Sequence, residues 1–246
     1  MCSIIGYSGS EIAAPIIVKG LKRMEYRGYD SVGVATESEN QIELKKGIGK
    51  VTEVNSKFQL DTLPGRIGIG HTRWATHGKV TDLNAHPHPS NSGKIAIVDN
   101  GIIENFEELK KQLEDEGYSF KSETDSEIIA NLLQKNYEST KNVKDTIMKT
   151  VSVIKGHYAF VAMFENGQLA AARFHEPLII GVGQENIFLS SDVLGFIEYT
   201  DNAIYMKSGN FIILENKEFE ILDFNGEKVK HEITTVSYTH LRAHET

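Results

Sequence analysis

The chain has 246 residues, of which 40% are hydrophobic and 24% are charged, and this composition is typical of a globular protein with one large domain or two small ones. Its formal net charge of −8 argues against general nucleic-acid binding, and no run of about 18 apolar residues or N-terminal signal peptide is visible. The single cysteine excludes an internal disulfide framework, which fits a cytoplasmic protein.

The first strand carries that cysteine directly behind the initiator methionine. Residues 2–7 read Cys-Ser-Ile-Ile-Gly-Tyr, a pattern typical of a buried strand. If Met1 is removed, Cys2 carries both a thiol and a free α-amine, whose ordinary pKa of about 7.7–8.0 suits a base near neutral pH. One residue would then supply nucleophile and base. The alternative is a small buried hydrophobic residue, which is the usual role of a lone cysteine.

The next elements are predicted from their periodicity. Residues 11–24 have apolar side chains at helical spacing and predict a helix with one buried face. A polar turn at residues 25–30 leads into an antiparallel hairpin of residues 31–36 and 42–44. Taken locally, Arg27 and Asp30 are a solvated pair of turn residues.

A glycine-punctuated strand at residues 66–70 leads into a loop dense in reactive side chains. Arg73 could hold a carboxylate with its planar guanidinium group, and Trp74 could be a lid that excludes water. The alternative is a surface loop with one buried indole. Four histidines between residues 71 and 88 raise the question of a metal site, but their spacing favours structural hydrogen bonding.

The strand at residues 94–101 ends in Asn100-Gly101. An amide side chain beside a glycine N–H can form a two-donor oxyanion hole, although Asn-Gly is also a common turn. Capping boxes are predicted for the two helices that follow, from Asn105 with Glu108 and from Thr124 with Glu127. Asp125 either complements the second helix dipole or binds an ammonium group.

After a further helix at about residues 143–154, short strands and hairpins dominate from residue 157 onward. Helices and strands thus come in blocks rather than in regular alternation, which favours an α+β fold with antiparallel sheets, stacked face to face with helices outside. The domain is predicted to span residues 2–232. Residues 233–246 are predicted to be a tail, unstructured or foreign to the natural protein.

Taken together, these motifs resemble the N-terminal glutaminase domains of glutamine–fructose-6-phosphate aminotransferases (isomerizing), also called glucosamine-6-phosphate synthases. The resemblance covers residues 2 to about 232. The motifs that carry it are CSIIG from Cys2, EYRGYDS from Glu25, HTRWATHG from His71, NAHPH from Asn84, NGIIEN from Asn100 and SETD from Ser122.

The resemblance implies an Ntn-hydrolase fold, a four-layer αββα sandwich of two antiparallel sheets between helices. It implies that Cys2 is the nucleophile and that its α-amine is the base. The other roles that it implies are the oxyanion hole (Asn100 and Gly101), the grip on the glutamine α-carboxylate (Arg73) and α-ammonium (Asp125), the pocket loop (Thr76 and His77), the gate (Trp74) and a supporting residue (Arg27).

In the implied reaction, glutamine is hydrolysed to glutamate and ammonia through a thioester on Cys2, without a metal or an organic cofactor. Two positions depart from the family pattern: Ser3 stands where the family usually has Gly, and Asp99 where it usually has His. Ser3 adds a side chain near the nucleophile. A carboxylate at position 99 would disfavour negative charge at the neighbouring oxyanion hole.

The family continues into a sugar isomerase region that binds fructose 6-phosphate, and the full-length enzyme is expected to be a homodimer. The present chain stops before that region, so we expect it to hydrolyse glutamine without making glucosamine 6-phosphate. Three alternatives stay open at this point. They are the glutaminase domain of another N-terminal-Cys amidotransferase, a non-catalytic glutamine-binding module, and a metal-dependent hydrolase.

Overall fold

The computed structural model describes residues 2–75 and 78–236, which form two antiparallel sheets and the helices that cover them. The strands are β1 (Ser3–Gly9), β2 (Ser31–Ser38), β3 (Gln41–Ile48), β4 (Ile67–Arg73), β5 (His88–Pro89), β6 (Ile95–Ile103), β7 (Gly156–Phe164), β8 (Leu169–Phe174), β9 (Ile179–Val182), β10 (Asn186–Ser190), β11 (Asn202–Tyr205), β12 (Asn210–Glu215), β13 (Glu218–Asp223) and β14 (Thr234–Thr235). The α-helices are α1 (Ala13–Arg23), α2 (Val51–Phe58), α3 (Phe106–Asp115), α4 (Glu127–Thr140) and α5 (Val143–Val151).

The strands divide into a sheet of eight, in the order β14-β11-β9-β10-β1-β4-β2-β3, and a sheet of six, in the order β13-β12-β8-β7-β6-β5. The strand behind Cys2, β1, lies in the interior of the eight-stranded sheet, where it pairs with β10 and β4. The strand that carries Asn100, β6, pairs with β7 and β5 in the other sheet. The predicted nucleophile and the predicted oxyanion residue therefore come from different sheets.

The alternation of side chains along each strand produces four layers. Ile4 faces the apolar cluster between the two sheets, while its neighbour Ile5 packs beneath α1. On β6, Val98 faces the cluster between the sheets and Ile97 packs beneath α4. Helices thus cover both outer faces, and the predicted αββα sandwich is confirmed.

The predicted hairpins and the predicted helices α1, α3, α4 and α5 are present, whereas both predicted capping boxes are wrong. The side chain of Asn105 accepts a hydrogen bond from the backbone of Lys155 and donates one to the carbonyl of Val153. The Glu127 carboxylate accepts from the backbone N–H groups of Lys121 and Ser122. These side chains tie separate segments together, because tertiary partners compete with a helix's own first turn.

The structure differs from the sequence predictions at α2 and near the C-terminus. Residues 51–58 form α2, where the sequence pattern predicted no element. Thr234 and Thr235 fall within the predicted tail, yet they pair with β11 as β14. The remainder of that tail, from residue 237, lies outside the described residues. Among the described residues, no helix is both long and apolar enough to cross a membrane.

Candidate functional site

Cys2 lies at the start of β1, where it faces the loop that follows β4. The backbone N–H of Trp74 donates a hydrogen bond to Cys2 Sγ at 3.1 Å, and Sγ lies 3.5 Å from the carbonyl oxygen of Trp74. The carbonyl of Cys2 accepts hydrogen bonds from Asn100 Nδ2 at 3.2 Å and from Arg27 Nε at 3.3 Å. The cysteine is thus held by groups from three separate segments.

Burial governs the chemistry of the Cys2 thiol. It raises the pKa of the thiol above its ordinary value, because desolvation disfavours the thiolate, and the hydrogen bond from the Trp74 backbone opposes this rise only in part. A thiol with a raised pKa is a weak nucleophile at neutral pH until a nearby base removes its proton.

Asn100 and Gly101 lie beside Cys2 within β6, which continues to Ile103 rather than ending at Asn100-Gly101 as the sequence predicted. The Asn100 carboxamide accepts a hydrogen bond from His71 Nε2 at 3.0 Å and points its nitrogen toward Cys2. Gly101 has φ +126°, a conformation that side chains rarely adopt, and a Cβ there would collide with the carbonyl oxygen of His157 on β7. The close approach of two strands therefore requires glycine at this position.

Opposite charges lie on the same side of the site. Arg73 is only 5% exposed, donates a hydrogen bond to the carbonyl of Lys79 at 3.2 Å, and faces the charges of Asp30 and Asp125. Asp125 precedes α4 and accepts a hydrogen bond from the Ile103 backbone at 2.7 Å. The strand that carries Asn100 is thereby tied directly to the carboxylate of Asp125.

Two cavities meet at Cys2. One, of about 40 Å³, is lined by Cys2, Arg73, Trp74, His86, Asp99, Asn100, Gly101, Thr124, Asp125 and Ser126. The other, of about 220 Å³, is lined by Cys2, Arg27, Trp74, Asn100, Gly101, Ile102, His157 and Glu176. The larger cavity of about 440 Å³ beside β11 and β12 contains neither the cysteine nor Arg73 and is remote from this chemistry.

Arg27 and Asp30 are not the solvated turn pair that local sequence suggested. Arg27 bridges the Cys2 carbonyl and the Asp192 carboxylate, whose Oδ2 lies 3.3 Å from Arg27 Nη1. Asp30 accepts a hydrogen bond from the Ala75 backbone at 2.9 Å and donates its own N–H to the Arg73 carbonyl. Both residues hold the segments around the cysteine, because the turn folds back onto the loop that follows β4.

Trp74 lies at the entrance of the site with 42% of its surface exposed, and its ring meets the ring of Tyr29 edge to face at 5.4 Å. An exposed indole beside two cavities is suitably placed for a lid. Thr76 and His77, which the resemblance places in the substrate pocket, lie outside the described residues.

Three of the four clustered histidines are buried with their rings in contact, His71 stacked on His86 and His88 edge to face with His86. The ring of His86 lies 4.2 Å from that of His71 and 4.4 Å from that of His88. His88 is hydrogen-bonded to Thr124 Oγ1 at 3.0 Å, and burial lowers the pKa of each of the three imidazoles. Within residues 2–75 and 78–236, no three potential ligand side chains converge in a metal-binding arrangement.

Asp99 is buried on the opposite face of β6 from Asn100. Its Oδ2 accepts a hydrogen bond from Ser126 Oγ at 3.1 Å. Burial raises the pKa of this carboxyl well above its ordinary value, and the nearby charge of Asp125 adds to the rise. The raised pKa favours the neutral carboxyl, which lessens the repulsion expected from a carboxylate beside Asn100.

The structure brings together Cys2, Arg73, Asn100, Gly101 and Asp125 around one cavity. The sequence predicted no role for Ser126 or Asp192 and only structural hydrogen bonding for His71, although each contacts a predicted site residue or its neighbour. Their partners come from distant parts of the chain, so no local spacing could have revealed them. The density of histidines near residue 71 was the one available signal.

Comparison of the sequence with models of known protein families identifies one family. Residues 71–197, slightly more than half of the chain, match the model described as a glutamine amidotransferase domain. The chain belongs to the glutamine amidotransferase family. The match begins at His71 on β4 and therefore covers Arg73, Asn100, Gly101 and Asp125.

Curated relatives of this amidotransferase domain are longer proteins. A glutamine–fructose-6-phosphate aminotransferase [isomerizing] from Pyrococcus horikoshii is 47% identical over 242 residues, which is 97% of this chain and 40% of that protein. A protein of the same name from Clostridium acetobutylicum is 41% identical over 240 residues, or 97% of this chain and 39% of that protein. The chain thus spans about 40% of the length of these relatives.

Solved structures share the fold of this domain. The glutamine phosphoribosylpyrophosphate amidotransferase from B. subtilis superposes with a TM-score of 0.80 at 28% identity, covering 91% of this chain and 49% of that one. A glutamine aminotransferase class-II domain protein from Silicibacter pomeroyi has a TM-score of 0.61 at 16% identity, over 91% of this chain and 99% of that one, and shows a likeness of fold.

Proposed function

We propose that this domain hydrolyses L-glutamine to glutamate and ammonia through a thioester on Cys2, as the ammonia-supplying half of a glucosamine-6-phosphate synthase. The observation that carries the proposal is the convergence of a thiol, a carboxamide and a guanidinium group on one small cavity, at Cys2, Asn100 and Arg73. A thiol can attack an amide carbon, and the carboxamide can donate to the oxygen that becomes negative.

Removal of Met1 leaves Cys2 with its own α-amine as the base. The amine takes the thiol proton, and Sγ attacks the side-chain amide carbon of glutamine. Asn100 Nδ2 and the Gly101 N–H donate hydrogen bonds to the resulting oxyanion. The protonated amine then gives its proton to the departing nitrogen, the C–N bond breaks, and ammonia leaves. Water attacks the thioester carbon, glutamate is released, and the proton returns to the thiol.

The charged side chains suit the two ends of an amino acid. Arg73 binds the α-carboxylate of glutamine, because its planar fork can donate two parallel hydrogen bonds. Asp125 binds the α-ammonium group. In the proposed pocket, Thr76 and His77 complete the wall, Trp74 closes the entrance, and Arg27 holds the Cys2 carbonyl in place.

The proposed acceptor rests on the curated relatives, which are named as fructose-6-phosphate aminotransferases. Their sequence identity of 40% and above exceeds the 28% shared with the phosphoribosylpyrophosphate amidotransferase. We therefore favour an amino-sugar enzyme of the cytoplasm over a purine enzyme. Fructose 6-phosphate would bind in the portion of such proteins outside these 246 residues, and the full-length enzyme would be a homodimer.

The proposal is tested by glutamate release from L-glutamine, measured for the purified chain and for Cys2→Ala, each with and without a chelator. Release that is lost in Cys2→Ala and unchanged by the chelator supports the thiol mechanism. A folded chain that has lost Met1 and still releases no glutamate contradicts the proposed activity of this domain, and chelator-sensitive release supports a metal-dependent hydrolase. Addition of fructose 6-phosphate should yield no glucosamine 6-phosphate from residues 1–246.

A further inference from the structure

His71 connects the two sheets at the point where the proposed site lies. It is on β4, in the sheet that carries Cys2, and its side chain reaches the end of β6 in the other sheet. Its Nε2 lies 3.0 Å from Asn100 Oδ1 and also 3.0 Å from the Asp99 carbonyl oxygen. Both oxygens can only accept, so Nε2 carries the hydrogen and donates to both.

The same network fixes which way the Asn100 carboxamide faces. Its nitrogen donates to the Cys2 carbonyl at 3.2 Å, while its oxygen accepts from His71. The reverse orientation would place an NH₂ group against the N–H of His71 and an oxygen against the oxygen of Cys2. Both contacts would be repulsive, so the donor at His71 determines that the amide nitrogen points toward the cysteine.

The ring of His71 is itself held in place by burial and stacking. It is 1% exposed, and its ring stacks on that of His86 at an interplanar angle of 18°. His86 is fixed in turn by the Asp99 backbone N–H, which donates to His86 Nδ1 at 3.3 Å. Burial lowers the pKa of His71 to about 4, so the ring is neutral at physiological pH. A neutral ring with its hydrogen on Nε2 is the form that Asn100 requires.

We infer that His71 is the positioning residue of the oxyanion hole: its Nε2–H orients the Asn100 carboxamide so that Nδ2 points toward Cys2 and can donate a hydrogen bond to the oxyanion. This inference deepens the proposed function and rests on it. His71 lines neither cavity at Cys2, so it acts through Asn100 and does not touch glutamine. Its loss should lower kcat for glutamine hydrolysis and leave KM nearly unchanged.

The decisive experiment is a double-mutant cycle of His71→Phe with Asn100→Ala, measured as glutamate release. Phe keeps a ring in the stack but removes the donor. We expect His71→Phe to lower kcat by about 10–100-fold, less than the 10²–10³-fold typical of deleting an oxyanion donor, with KM changed by less than about threefold. In the Asn100→Ala background, His71→Phe should lower kcat by less than about threefold.

Two further variants keep the result interpretable. His71→Gln retains an N–H donor and should recover part of the lost kcat. His88→Phe removes another imidazole of the same histidine cluster, but His88 bonds to Thr124 and not to Asn100, so its effect should multiply with that of Asn100→Ala. If His71→Phe does not fold, His71→Leu, which also lacks the donor, supplies the cycle with Asn100→Ala.

The inference is overturned if the effects of His71 and Asn100 multiply, or if His71→Phe raises KM rather than lowering kcat. Its failure is distinct from failure of the proposed function. A chain whose glutamate release depends on Cys2 but whose His71 and Asn100 effects are independent keeps the thiol mechanism and loses only the role of His71. A chain with no Cys2-dependent release loses the proposed function, and the inference falls with it.

Discussion

The backbone N–H of Trp74 donates a hydrogen bond to the thiol sulfur of Cys2, although β1, α1, β2, β3, α2 and β4 separate the two residues in the chain. The next residue, Ala75, donates its N–H to Asp30. The loop after β4 is therefore anchored at both the sulfur and a carboxylate. In the proposed mechanism, glutamine binding at Arg73 and activation of the Cys2 thiol are therefore linked through this loop.

Gly101→Ala should lower kcat sharply, because a Cβ at this position would strike the carbonyl of His157 and displace the end of β6 from β7. We expect at least a 10²-fold loss, comparable to the removal of an oxyanion donor. Gly117→Ala is the matched control. Gly117 also has a positive φ, of +93°, but a Cβ there would meet no heavy atom within 4 Å. Equal losses of glutamate release in the two variants would refute the steric argument.

Arg73→Lys should raise the KM for glutamine about 10–100-fold, since a lysine cannot form two parallel hydrogen bonds to a carboxylate. Asp125→Asn should have an effect of similar size through the lost attraction to the α-ammonium group. The control is Arg66→Lys, an exposed arginine at the other end of β4, which should leave steady-state kinetics unchanged. An unchanged KM in Arg73→Lys would remove the proposed carboxylate contact.

Asp99→Asn should stabilise the protein at neutral and alkaline pH. The pKa of Asp99 is raised in the folded state, so its contribution is fully present below the unfolded pKa of about 3.9 and is lost as pH rises through the folded pKa. The neutral amide does not ionise and avoids that loss. The melting temperature of the variant should exceed that of the wild type by about 2–4 °C for each kcal/mol of ionisation cost removed.

The measurement for Asp99 is the difference in melting temperature between variant and wild type from pH 4 to 8. The buried histidines have lowered pKa values, so they destabilise both proteins as pH falls below about 6.5, and their effect cancels in the difference. The advantage of Asp99→Asn should grow with pH and disappear near pH 4. A difference that is constant with pH would show that Asp99 is ionised in the folded protein.

Periodicity predicted most of the fold, because each buried face repeats at the spacing of its own element, as in α1 and in the hairpins of β2 with β3 and β12 with β13. The capping boxes were wrong for a physical reason. Asn105 and Glu127 bond to residues 155 and 121–122, and sequence spacing cannot weigh such tertiary partners against local ones.

The functional site was likewise predictable from the sequence only in part. The sequence motifs and the family that they resemble were sufficient to propose Cys2, Asn100 and Arg73, which line one cavity in the structure. They could not show that Arg27 bridges to Asp192, that burial raises the pKa of Asp99, or that His71 crosses between the sheets. Each of these depends on contacts between segments that lie far apart in the chain.

The proposed mechanism depends on the Cys2 thiol, freed at the N-terminus, acting as the nucleophile. This role is tested by intact and peptide mass spectrometry after treatment with a diazoketone analogue of glutamine, which alkylates a nucleophilic thiol with loss of N₂. We expect a chain without Met1 that gains one label on the peptide beginning with Cys2, protection by L-glutamine, and no label in Cys2→Ala. Retention of Met1 in a chain that hydrolyses glutamine, or undiminished hydrolysis in Cys2→Ala, would contradict it.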